Sequence, residues 1–121
     1  TISLKMLKPQ DEVHIRWCTD FNRWYQSNFG NQSEQHIRIE LADPFRYFMH
    51  RPNCWSIVPQ SVAKELTSFT NIRQCQLQFY VPNRILYILS KRSRSETGYI
   101  QPFIQELKEI IRTMQVGELL L

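Results

Sequence analysis

Apolar residues along this chain change their period several times, and each change marks an element. "VHIRW" alternates, with Val13, Ile15 and Trp17 on one face and His14 and Arg16 on the other, which predicts a strand. "TDFNRWYQSNFG" shifts to helical spacing, with Phe21, Trp24, Tyr25 and Asn28 on one side. Thr19 is its expected N-cap, Asp20 suits the positive helix start, and Gly30 suits the exit. "HIRIEL" alternates again through Ile37, Ile39 and Leu41. Asp43 followed by Pro44 opens a short helix, "PFRYFMHR", which Pro52 ends.

The stretch "RPNCWSIVPQSVAKEL" then reads as a turn, a buried strand over Cys54 to Val58, and a helix opened by Pro59. "QCQLQFYV" alternates through Cys75, Leu77 and Phe79 as a fourth strand. "RILYILS" is apolar at consecutive positions, the pattern of a central strand covered on both sides. After the loop "SRSETG", "YIQPFIQELKEIIRTM" carries an apolar stripe of Ile100, Phe103, Ile104, Leu107, Ile110 and Ile111, the longest predicted helix. Residues 1–12 alternate weakly up to Pro9 and read as an arm or incoming linker; "VGELLL" reads as a tail. The order β-α-β-α-β-α-β-β-α predicts an α/β layer fold.

Composition narrows the class without naming it. The 121 residues suffice for one domain with a core, and 42% hydrophobic against 21% charged residues is ordinary for a folded soluble chain. No apolar run approaches the roughly 20 residues of a membrane span, and no signal-peptide pattern opens the chain. It begins at Thr1 rather than Met, which reads as a piece of something longer. Net charge is +4, compatible with an anionic partner, but the basic residues are scattered. Only "KRSR", Lys91 to Arg94, clusters, and it reads as a solvated loop.

Catalytic patterns are missing. There is no P-loop, GxGxxG, GxSxG or HExxH, and the chain holds only three glycines. Cys18, Cys54 and Cys75 form no CxxC, and His14, His36 and His50 complete no zinc set with them. A Cys18 pair with His14 or His36 has no distinctive spacing. The thiols read as reduced packing residues, and no enzyme, cofactor or metal is expected.

Three blocks taken together carry a resemblance: "VHIRWCTDFNRWYQSNFG", "IRIELADPFRYFMHRPNCWSIVPQSVAKEL" and "PNRILYILSKRSRSETGYIQPFIQELKEIIR". In this order they resemble the C-terminal part of LysR-type transcriptional regulators, over roughly residues 13 to 113. The resemblance implies a cytoplasmic bacterial regulator whose effector-binding domain is similar to type 2 periplasmic binding proteins. The implied fold is a three-layer α/β arrangement, a sheet with helices on both faces. Residues 13–82 would form the second effector-binding subdomain, and 83–113 the returning strand and helix of the first. The implied partner is a small-molecule effector, a carboxylic acid or other anion, held in a cleft between subdomains. DNA would be bound only through a helix-turn-helix outside this chain, in a homo-oligomer without membrane contact. The family's glycine pair before the third strand is replaced by Pro52, Asn53 and Cys54, where Asn53 can supply a left-handed turn.

Within that frame Thr19 and Phe21 sit where the first strand hands over to a helix start, a seat for an anion. Arg84 precedes the run "ILYIL" and offers a guanidinium fork for a carboxylate. Trp17 lies nearest the implied cleft, whereas Trp24 and Trp55 read as core, and Gln60 and Ser61 as a strand-to-helix turn. Two rivals stand beside this reading. A solute-binding transport protein of the same fold would carry a signal or lipid anchor. A basic nucleic-acid module would interleave aromatic and basic residues on one face. A dehydratase of related fold lacks a matching catalytic set here.

Overall fold

The structure is a computed structural model, described over residues 1–30, 37–40, 45–69, 71–91, 98–115 and 117–119. Its content is mixed α/β. Strand β1 (Val13–Ile15) pairs in parallel with β2 (Ile37–Ile39), and the described residues hold four α-helices: α1 (Thr19–Phe29), α2 (Phe45–Phe48), α3 (Gln60–Phe69) and α4 (Ile100–Met114). The expected Asp43–Pro44 helix start, Leu41, His36 and all of the "SRSETG" loop except Gly98 lie outside the described residues. The chain divides into two compact units, Thr1–Arg84 and Ile85–Leu121.

β1 organises the first unit. On one edge the Ile37 amide donates to the Glu12 carbonyl. On the other, the Trp55 amide donates to Asp11 and the Val13 amide to the Trp55 carbonyl, at 3.0 and 2.9 Å. The third predicted strand is thus reduced to a single parallel bridge, Glu12 with Trp55. The fourth is likewise one bridge, Ile2 with Leu77, in which Cys75 and Leu77 stay exposed. Residues 1–12 run along this unit: Leu4 and Leu7 pack beside α1, and the Lys8 carbonyl accepts from the Trp55 indole at 2.7 Å.

The alternation read for β1 needs correction, since all three of its residues are buried. Val13 and Ile15 pack with Ile39, Phe45, Met49 and Leu66. His14, placed on a polar face by its sequence pattern, is covered by rings of α1. α1 has most of the expected stripe, with Phe21 and Tyr25 buried and Trp24 half-buried, but Asn28 is exposed and Phe29 takes the buried place instead. Its N-cap is Cys18 rather than Thr19, and the Cys18 side chain makes no capping bond. Asn53 does take the left-handed conformation, with φ 62° before the Trp55 bridge. Pro59 stands one position ahead of α3, its carbonyl accepting the first helical bond from Ala63. Gly30 leaves α1 at φ 52°, a region that glycine enters without Cβ strain.

Two further expectations fail in physical detail. Half-buried Cys18 and Cys54 pack against the two core clusters as packing residues should, but Cys75 is exposed, so the reading fails for the third thiol. Ile85 to Leu89 form no strand and no covered layer: their exposure runs from 51% at Ile85 to 92% at Leu89. An apolar run states what a segment gains on burial, not that the unit supplies a partner.

Candidate functional site

The carboxyl end of β1 is where the chain order reverses. From β1 the chain passes through α1 to β2 on one edge, then returns to pair Trp55 on the opposite edge. In parallel α/β sheets the crevice outside such a reversal is the place where ligands sit, because the two flanking loops diverge there. Trp17 to Asp20 leave β1 at this point, with Ile57 beside Trp17.

One hydrogen bond ties the two strand ends: the Trp17 indole N–H donates to the Ile57 carbonyl at 2.9 Å. The ring is further fixed edge-on to Phe45, centroids 6.5 Å apart. Over the Trp17 ring lies the Arg84 guanidinium, 5.9 Å from its centroid, within range of a cation–π contact. Arg84 is exposed, and the arginine–carboxylate pairs among the described residues are made by Arg23 and Arg112. Thr19 is exposed in the first turn of α1, whose amides receive no side-chain cap from Cys18. Asp20 is exposed and 4.0 Å from Arg23, a surface pair of little energetic weight.

Of the four residues singled out by sequence, Trp17 and Arg84 therefore meet, and Thr19 follows Trp17 by two positions. Phe21 is separate: it is 4% exposed and packs against His14, Trp24 and Tyr25. What the corner offers chemically is one guanidinium, one indole face and a helix start, groups that can hold an anion, with the exposed Asp20 carboxylate opposing them.

A polar cluster missed by sequence reasoning lies beneath α1. Glu12 is 1% exposed and His14 5%. The Tyr25 hydroxyl donates to Glu12 Oε2, and His14 Nδ1 lies 3.1 Å from Glu12 Oε1. The His14 ring lies against Tyr25, tilted by 33° with centroids 4.0 Å apart. Burial, then the hydrogen bond and charge of Glu12, push the Tyr25 phenol above its ordinary range, while Arg38 pulls it down. The only sequence signal was Glu12 and His14 flanking a buried valine, which a surface strand shares. Burial also pushes the Cys54 thiol up, against the pull of Arg51, which makes it a poor nucleophile.

Among the described residues no group of three or more His, Cys, Asp or Glu side chains is placed to hold a metal ion. None of their helices is long and apolar enough to cross a membrane. The chain matches no protein-family profile, no curated protein and no solved structure.

Proposed function

We propose that this chain is the ligand-sensing part of a LysR-type bacterial transcriptional regulator, binding a small anionic metabolite at the carboxyl end of β1. The observation that carries the reading is the Arg84 guanidinium held over Trp17 at the point where strand order reverses. With the reading go its finer parts: a three-layer periplasmic-binding-protein-like fold, a cytoplasmic homo-oligomer, and DNA contact through a domain outside this chain. The mechanism is linkage, in which effector binds one arrangement of the domain better and the oligomer on DNA follows.

Arg84→Ala is the direct test. A charge-assisted hydrogen bond is worth about 1.5–3 kcal/mol, so an anion found by calorimetry among benzoate, succinate and citrate should bind ten- to a hundredfold more weakly. Arg84→Lys should restore part of this, because a point charge lacks the planar fork. Unchanged affinity in a folded Arg84→Ala protein would reduce Arg84 to a structural role. The class has its own test in the gene product upstream of Thr1. A helix-turn-helix is expected there; a signal or lipid anchor would favour the transport reading.

A further inference from the structure

The first unit has a concavity that neither Trp17 nor Arg84 lines. It is a groove of about 890 Å³ with Met49–Val58 and Asn71–Leu77 among its walls. That volume is in the range of small-molecule sites, about 300–1,000 Å³. Its apolar lining includes Trp55, Leu66, Ile72, Leu77 and Phe79. Its charged lining is of one sign: Arg51 and Arg73, with His50 beside them, and no Asp or Glu among the described lining residues. Asp11 is near enough to raise the Cys54 thiol but is not part of the lining. Ser56 contributes a further polar atom, a buried Oγ without a hydrogen-bond partner.

We propose that this groove binds an amphiphilic organic anion, an aliphatic chain of medium length ending in one carboxylate. The chain would lie against the apolar lining and the carboxylate beside Arg51 and Arg73. Charge complementarity selects an anion over a neutral or cationic ligand, and the apolar wall selects a chain over a compact polar acid. This site borders the Trp17–Arg84 corner at Ile57 but uses neither the Trp17 ring nor the Arg84 guanidinium, so it does not rest on that reading.

Cys75 supplies the readout, because its exposed thiol is part of the lining. Cys18 lies outside the groove and serves as reference. The rate of Cys75 modification by a disulfide reagent is measured in the 121-residue chain against hexanoate, octanoate and decanoate, each below its micelle point. Saturable protection of Cys75, with Cys18 unaffected, is expected. Affinity should rise by up to about fourfold per added methylene, the equivalent of roughly 0.8 kcal/mol. The double variant Arg51→Gln with Arg73→Gln should weaken decanoate at least tenfold and leave decanol unchanged; both side chains are exposed, so the core is untouched. Ala63→Phe, which fills the groove from α3, should abolish protection, and Arg84→Ala should leave it intact. Absence of saturable protection would overturn the site. Equal binding of decanol and decanoate would overturn the anion. Loss of protection in a folded Arg84→Ala protein would overturn independence from the corner.

Discussion

The two units of this chain are built from similar sequence material and end differently. α3 and α4 are both amphipathic, yet Leu66 of α3 is 6% exposed while α4 has no buried residue. All nine buried apolar residues among those described belong to Thr1–Arg84. In Ile85–Leu121, Leu86, Tyr87, Leu89 and Phe103 are each more than half exposed. The difference is one of partners rather than pattern. β1 has packed side chains on both faces, whereas the apolar residues of the second unit have no comparable cover within it. An apolar stripe decides which face will be buried if burial occurs.

Substitution separates the units most sharply. Phe45→Ala, at a site 2% exposed, should cost about 3–5 kcal/mol in urea unfolding. Phe103→Ala, at a site 62% exposed, should stay within about 0.5 kcal/mol. Equal losses would erase the contrast between the units. A smaller effect is expected from Tyr25→Phe, which removes the buried hydrogen bond to Glu12 and should cost about 1–3 kcal/mol.

The same residue sets a pH dependence confined to the first unit. Tyr25 has its folded-state pKa raised above the unfolded value of about 10, so above that pH the unfolded chain gives up its proton first. Its contribution is complete below about pH 10 and is lost as pH climbs toward the folded value. Unfolding midpoints should fall at alkaline pH, less steeply in Tyr25→Phe; identical slopes in the two proteins would remove Tyr25 from the account. The smallest effect is kinetic. Amides of Ile85 to Leu89 should exchange with solvent near unprotected rates, and those of β1 more slowly than any in the second unit. Protection at Leu86 and Tyr87 equal to that at Val13 would mean that the run has found a cover.

How far the sequence carried depended on range. α1, α3 and α4 were legible because helical spacing and the glycine at the α1 exit are local signals. Asn53 was legible for the same reason, since its left-handed turn concerns one residue. The Ile85–Leu89 run was misread because depth of burial belongs to the partners and not to the run. His14 was assigned to an open face because alternation assumes water on one side of a strand. The Glu12–Tyr25 bond joins residues 13 positions apart on different elements, and nothing in either residue announces it. At the candidate site, Trp17 and Arg84 were named separately; their meeting required the tertiary structure. Phe21 was placed near the same helix start, but helical phase turns it toward His14.

The pairing of Ile2 with Leu77 also has a bearing on how the first unit comes into being. The Ile2 amide donates to the Gln76 carbonyl and the Gln78 amide to the Ile2 carbonyl, at 2.8 and 2.9 Å. Nearly the whole unit lies between these partners, so among its bridges this one closes the longest stretch of chain and carries the largest closure entropy. Within the unit, Ile2 must wait, on the ribosome, for the later-made Leu77 before the two can pair. Val13 can meet Ile37 early and Trp55 can dock next, while the opening segment stays unclasped until residue 78 has emerged. Its assembly is therefore expected to run outward from β1, with the N-terminal segment joining last, an order that pulsed hydrogen exchange during refolding would reverse if Ile2 were protected before Val13.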